Sequence, residues 1–123
     1  MASEAVIALG LATVDVERAA AAIGRTTASL FRATSRDELL GCRGLAMVLP
    51  SGRTLLLMEP DTEGRLAAFL ARHGEGLAAV YLAGSGLAVA RAGSGRPGLT
   101  ALGRSGRLLA GGRPGDPGIV LLD

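Results

Sequence analysis

Apolar residues along this chain occur in short runs that alternate with polar stretches. Residues 5–14 are almost entirely apolar and, being fewer than most helices require, predict a buried strand. From Val16 onwards the apolar positions recur at i, i+3, i+4 and i+7, which predicts one apolar face of a helix. Asp15 is placed to cap the start of this helix, and Gly24 is placed to end it. A strand followed by a helix is therefore the first predicted unit.

Two later apolar runs, residues 43–49 and 54–58, flank Pro-Ser-Gly-Arg and predict a β-hairpin. With Ser51-Gly52 as a two-residue loop, Leu49 lies opposite Thr54. This pairing predicts that one face of the hairpin carries Arg43, Leu45, Met47, Leu49, Thr54, Leu56 and Met58. A weaker strand candidate at 29–33 and a polar loop at 35–38 precede the hairpin.

The second half of the chain repeats this order in compressed form. A helix that Asp61 or Thr62 can cap is predicted to end at Gly74, and residues 77–83 again read as a buried strand. A short helix at 87–92 and strands at 99–102, 107–110 and 118–122 complete the sequence of elements.

This order is an internal βαβββ repeat, in which neither copy has enough faces to close a core alone. We therefore predict an α+β fold in which paired βαβββ modules form a curved mixed sheet around a central cavity, with the second module shortened. The predicted boundaries are 1–60 for the first module, 61–76 for a linker helix and 77–123 for the second module, within one structural domain.

Composition narrows the class of protein without naming a function. The 123 residues are 49% hydrophobic and 20% charged, which is typical of a folded globular chain. The net charge of +2 is carried by scattered arginines, so we expect a solvated surface and no nucleic-acid partner. Cys42 is the one cysteine and cannot form an internal disulfide. No apolar run approaches the roughly 20 residues of a membrane helix and no signal peptide is recognisable, so we expect no membrane association and a cytoplasmic location.

Three stretches resemble the vicinal oxygen chelate superfamily, which includes glyoxalases, bleomycin-resistance proteins and extradiol dioxygenases. Residues 8–17 (Ala-Leu-Gly-Leu-Ala-Thr-Val-Asp-Val-Glu) are similar to the family's opening His-Ile-Gly-Ile-Ala-Val-x-Asp-Leu-Glu. Residues 55–60 resemble Val-Glu-Leu-Leu-Glu-Pro, and residues 69–80 resemble Phe-Leu-x-x-x-Gly-Glu-Gly-Leu-His-His-Ile. The resemblance is nearest to methylmalonyl-CoA epimerases and implies the paired-module fold.

The sequence departs from the family at the metal ligands. The resemblance places these ligands, typically two His and two carboxylate or amide residues, on four inward-facing strands. The matching positions here are Ala8, Leu56, Ala78 or Ala79, and Leu121 or Leu122, with Asp123 displaced to the end. A divalent ion needs N, O or S donors, so we predict a site without metal or any other cofactor.

Residues that share strand parity with the lost ligands are predicted to line the cavity. The predicted substrate-binding residues are Ala8, Gly10, Ala12, Leu45, Met47, Thr54, Leu56, Met58, Ala79 and Ala83. They describe either a roomy apolar pocket or, alternatively, small residues that let the sheets close over a filled core.

Few polar side chains are available for chemistry at this site. Tyr81 is predicted to point inward, where its phenol either polarises a ligand carbonyl or makes a structural hydrogen bond. Arg43 either binds a carboxylate or enolate oxygen or faces solvent. Glu59 is expected on the helix side, Glu75 in the linker turn and His73 in the last turn of the linker helix, outside the cavity.

Two functions fit these residues. The first is a metal-independent isomerase, cyclase or lyase acting on a small apolar carbonyl compound, with Tyr81 and Arg43 as catalytic residues. The second is a protein that binds and sequesters a small apolar metabolite or drug. A partner-binding module with a vestigial pocket is a third reading. By analogy with the family, and because a shortened half leaves a sheet edge to cover, we also expect a homodimer.

Overall fold

A computed structural model describes residues 4–27, 30–84, 95–109 and 116–123 of the chain. Two helices and eight strands are present in this part of the molecule. In chain order they are β1 (Glu4–Ala12), α1 (Val16–Thr27), β2 (Arg32–Ala33), β3 (Cys42–Val48), β4 (Thr54–Pro60), α2 (Arg65–His73), β5 (Gly76–Gly84), β6 (Gly98–Leu99), β7 (Ser105–Leu108) and β8 (Gly118–Leu122).

The eight strands form one curled, mixed sheet in the order β2-β3-β4-β1-β5-β8-β7-β6. Each half contributes four neighbouring strands, and the halves join where β1 pairs antiparallel with β5. Within each half the first strand runs parallel to the last, β1 with β4 and β5 with β8. The predicted α+β fold of βαβββ modules is therefore confirmed, while the predicted helix at 87–92 lies outside the described residues.

Helix α1 begins where the sequence predicts and ends later. The Asp15 carboxylate accepts a hydrogen bond from the Arg18 amide at 3.1 Å, which satisfies one of the free donors of the first turn. Glu59 also reaches this end of the helix and accepts from the Val16 amide at 3.4 Å. The prediction that Gly24 ends α1 is wrong, because the helix continues to Thr27. A glycine inside a helix lowers the stability of the helix by about 1 kcal/mol relative to alanine, and the neighbouring turns can offset this loss.

The hairpin forms with a register one residue away from the predicted one. Val48 lies opposite Thr54, and the Leu49 amide donates to the Arg53 carbonyl at 2.7 Å. The connection is thus a three-residue loop that ends at Gly52, whose φ of 90° lies in the left-handed region. Because side chains alternate along a strand, this shift turns every β3 side chain to the opposite face from the predicted one.

Helix α2 packs against β4 and β5 and connects the two halves. Gly74 ends it as predicted, with a φ of 76° and its amide donating to the Leu70 carbonyl. The predicted N-caps are wrong, because the helix starts after Gly64 without a side-chain cap and Asp61 instead accepts from the Arg36 guanidinium at 2.9 Å. Neither of the two helices in the described residues is long and apolar enough to cross a membrane.

Candidate functional site

The concave face of the sheet is built from side chains that alternate inward along its central strands. Gly10 pairs with Leu56 on one side and with Ala79 on the other, so these three residues share a face. Ala8 shares that face through its pairing with Thr54 and Tyr81. The register therefore brings most of the predicted cavity residues together. They are Ala8, Gly10, Ala12, Thr54, Leu56, Met58, Ala79, Tyr81 and Ala83.

The centre of this face is packed rather than open. Leu56, Met58 and Tyr81 are each 0% exposed. The fit is close at Gly10, where an added Cβ would lie 2.5 Å from the Met58 methyl carbon. The sequence left open either an apolar pocket or a filled core, and the middle of the sheet is a filled core.

Tyr81 and Asp37 form a hydrogen-bonded pair inside this core. The phenol of Tyr81 donates to Asp37 Oδ2 at 2.7 Å, and the Ala101 amide donates to the same oxygen at 3.0 Å. The other carboxylate oxygen accepts from the amides of Leu39 and Leu40 at 3.1 and 3.0 Å. Asp37 is 0% exposed, so its charge is stabilised by four donors and not by water. Of the two alternatives for the Tyr81 phenol, this contact therefore supports the structural hydrogen bond.

This environment disfavours ionisation of the neighbouring acids. Burial raises the pKa of the Tyr81 phenol well above its usual range, and the nearby Asp37 carboxylate raises it further. Burial, followed by the same carboxylate, raises the pKa of the Cys42 thiol to about 12. Both groups are therefore neutral at physiological pH.

The sequence placed Asp37 in a polar loop and gave no sign that its side chain is buried. The loop doubles back on itself, because the Gly41 amide donates to the Asp37 carbonyl and Gly41 adopts a φ of 69°. An Asp four residues before a Gly indicates such a turn but not its burial. The partners Tyr81 and Ala101 are 44 and 64 residues away, beyond what a local pattern reveals.

Open space on the concave side lies further out, above β2, β3 and the turn that follows β6. This groove, which we call the outer groove, has a volume of about 660 Å³. Ala46 and Thr54 form part of its floor, and Ala101 and Leu102 form one wall. The described residues that line it are Leu30, Arg32, Ala33, Thr34, Ser35, Ala46, Met47, Val48, Thr54, Ala101, Leu102 and Gly103.

The corrected hairpin register relocates three predicted site residues. Arg43 lies opposite Glu59 and Leu45 opposite Leu57, on the face of the sheet that α1 covers. Met47 has the same strand parity, although some of its atoms line the outer groove. The placement of Arg43 and Leu45 beside the inward-facing Tyr81 is therefore wrong. The cause is the three-residue loop, which the sequence pattern did not distinguish from a two-residue one.

The remaining predicted polar residues have structural contacts. Glu75 accepts from the Thr13 hydroxyl at 2.6 Å and from the Val14 amide at 3.0 Å, and these bonds lower the pKa of its exposed carboxyl. His73 is exposed and its ring lies 5.1 Å from that of Phe69. Among the described residues no cluster of three or more His, Cys, Asp or Glu side chains could hold a metal ion.

Comparison with known proteins defines the fold. No protein-family profile and no curated protein sequence matches the chain. Solved structures do match. One is the hypothetical protein BH1468 from Bacillus halodurans C-125, which is 16% identical in sequence with a TM-score of 0.77. The match covers 98% of this chain and 94% of that one. Methylmalonyl-CoA epimerase from Mycobacterium tuberculosis is 18% identical with a TM-score of 0.76, covering 95% of this chain and 85% of that one.

A further match is Streptomyces coelicolor methylmalonyl-CoA epimerase, in a complex with 2-nitronate-propionyl-CoA. It is 18% identical with a TM-score of 0.73, covering 95% of this chain and 94% of that one. At these identities the likeness establishes the fold alone. The chain has the vicinal oxygen chelate fold, which the sequence resemblance implied.

Proposed function

We propose that this protein is a metal-independent small-molecule-binding protein, which holds an apolar ligand in the outer groove. The observation that carries the proposal is the lining of that groove. Seven of the described residues in it are apolar (Leu30, Ala33, Ala46, Met47, Val48, Ala101 and Leu102), with the hydroxyls of Thr34, Ser35 and Thr54 among them. A volume of about 660 Å³ falls within the usual range for small-molecule sites.

Metal independence is supported by the chemistry of the side chains at the fold's ligand positions. Ala8, Leu56 and Ala79 share the concave face. The pairing of β5 with β8 resembles that of β1 with β4, so Val120 on β8 corresponds to Leu56 on β4. Hydrocarbon groups carry no lone pairs for a divalent cation, so these residues do not fit a metal ion. The predicted ligand position at Leu122 has the inward parity and is equally apolar.

Binding is favoured over catalysis because none of the described residues that line the groove is suited to proton transfer at neutral pH. Abstraction or delivery of a proton requires a titratable side chain within hydrogen-bond reach of the substrate. Of the lining residues that the structure describes, Arg32 alone is ionisable, and a guanidinium does not act as a base at neutral pH. The Tyr81 phenol donates to Asp37 inside the core, and Tyr81 is 0% exposed.

A second candidate is an isomerase acting on a small carbonyl compound. Its support is that methylmalonyl-CoA epimerases are among the solved structures with this fold, one of them bound to an acyl-CoA analogue. The test is incubation of the protein with methylmalonyl-CoA in deuterated water. Incorporation of deuterium at the α-carbon above the uncatalysed rate would favour the isomerase, and its absence would favour binding alone.

The binding proposal is tested by filling the groove. Ala46 lies on its floor, so Ala46→Phe should abolish binding of apolar probes that raise the Tm of the unmodified protein. Ala71→Phe, at an exposed position on α2, is the matched control and should bind normally. Circular dichroism verifies that both variants fold. If no probe in a broad panel of aliphatic and carbonyl compounds binds, or if Ala46→Phe binds as the parent does, the outer groove is not the site.

Metal independence is tested separately by elemental analysis of the purified protein and by dialysis against EDTA. We expect no stoichiometric divalent ion and no change in Tm or ligand affinity. A stoichiometric ion whose removal lowers affinity would overturn this part of the proposal.

A further inference from the structure

Among the described residues that line the outer groove, Arg32 alone is ionisable and none carries a carboxylate. The charge that these residues contribute is therefore of one sign. Arg32 pairs with Ala46 across the β2–β3 ladder, so both side chains stand on the concave face of the sheet. The guanidinium is therefore placed on the same side as the groove floor.

Arg32 has no acidic partner in the part of the chain that the structure describes, and it is exposed. This sets it apart from Arg36, four residues later, which is paired with Asp61. Arg18 is similarly within 3.8 Å of Glu75. The donors of Arg32 are thus available to a ligand, and their planar arrangement matches the two oxygens of a carboxylate.

Two exposed apolar side chains border the same groove. Leu30 is 89% exposed and Val48 is 61% exposed, although both are large hydrophobic residues. Apolar surface of this kind, next to a concave site, is stabilised when a ligand covers it. Within the described residues, the groove thus offers an apolar surface with one cationic group, which lies on β2.

We propose that the ligand of the outer groove is an amphipathic monoanion, with an apolar body and one carboxylate that binds the Arg32 guanidinium. This inference rests on the proposed binding function and adds the chemical class of the ligand. A single guanidinium matches one negative charge, and the described part of the lining holds no second cation for a dianion. A carboxylate desolvated beside apolar groups needs such a partner, whereas an uncharged analogue does not.

The test compares two probes of the same chain length and similar shape, the anionic decanoate and the uncharged decanamide, by isothermal titration calorimetry below their aggregation concentrations. We expect decanoate to bind the unmodified protein at least about tenfold more tightly, in line with a charge-assisted hydrogen bond. Arg32→Gln should bind the two probes equally. Arg72→Gln, which removes an exposed arginine on α2, should keep the preference.

Added salt gives an independent reading of the same contact. The preference for decanoate should shrink as ionic strength rises, because the pair is partly exposed to solvent. Equal binding of both probes to the unmodified protein, or a preference that survives Arg32→Gln, would overturn the anionic ligand class while leaving the binding function intact. Failure of both probes to bind, or binding that Ala46→Phe does not reduce, would overturn the inference together with the proposed function.

Discussion

Asp37 is a buried carboxylate whose stabilisation comes from donors of its own chain. Three backbone amides and one phenol surround it, and in the described residues no cation lies within ion-pair distance. Hydrogen bonds to an ionised group are stronger than those between neutral groups. The burial of this residue is therefore tolerated because each of its oxygens has two donors.

Removing the phenol isolates the contribution of one of these donors. Tyr81→Phe keeps the ring in the core and leaves Asp37 Oδ2 with the Ala101 amide alone. We expect the free energy of unfolding, measured with urea, to fall by about 1–3 kcal/mol, because the buried carboxylate of Asp37 loses one of its hydrogen-bond donors. An unchanged stability would show that the bond between Tyr81 and Asp37 contributes nothing.

The raised pKa of Tyr81 predicts how the protein responds to alkali. Its pKa in the folded state lies above the unfolded value of about 10, so the associated stability is fully present below that pH and is lost as pH rises further. Since Tyr81 is the one tyrosine and there is no tryptophan, tyrosinate absorbance reports this residue alone. We expect the absorbance to appear together with loss of the circular dichroism signal. Ionisation of Tyr81 in a protein that remains folded would contradict the buried placement.

At the scale of secondary-structure elements, the β3–β4 hairpin shows which features of the fold the hydrophobic pattern of the sequence predicts. The two apolar runs located both strands, and β4 faces the predicted way, with Leu56 and Met58 inward. The facing of β3 depends on the number of loop residues, and both a two-residue and a three-residue loop fit Pro-Ser-Gly. Thr54 was placed correctly and Arg43 was not, because one belongs to β4 and the other to β3.

Some of the candidate site was therefore accessible from the sequence and some was not. The small inward residues of β1 and β5 followed from parity, which needs no knowledge of tertiary contacts. The outer groove was missed because its wall at Ala101 and Leu102 comes from a turn more than 40 residues from its floor at Ala46. Asp37 was missed for the same reason, since its role depends on distant partners.

Two glycines in the sheet offer a comparison of close contacts. An added Cβ at Gly44 would overlap the backbone carbonyl of Leu57, whereas one at Gly10 would meet the flexible end of Met58. We expect Gly44→Ala to lower the free energy of unfolding by about 3 kcal/mol or more, and Gly10→Ala to cost less, because a methionine side chain can move and a paired strand cannot. Equal costs, measured by urea unfolding, would contradict this account of the β3–β4 approach.

At the scale of the whole molecule, Asp37 connects the two halves of the chain. It lies in the first half, while Tyr81 on β5 and Ala101 after β6 belong to the second. Ala101 also forms part of the wall of the outer groove. The carboxylate therefore fixes the groove wall to the core as well as one half to the other.

Hydrogen exchange on Asp37→Asn tests this connection. The side-chain amide that replaces the carboxylate has one accepting oxygen. We expect this oxygen to accept from the backbone amides of Leu39 and Leu40 in the local turn, which leaves the backbone amide of Ala101 without an acceptor. In the unmodified protein the Ala101 amide should exchange as slowly as the paired amides of β1 and β5, through global unfolding. In Asp37→Asn it should exchange at least about tenfold faster than those amides, because the wall then opens locally. Equal protection of Ala101 and the β1–β5 amides in the variant would show that the groove wall is held by other contacts, such as the bond from the Thr100 amide to the Arg104 carbonyl.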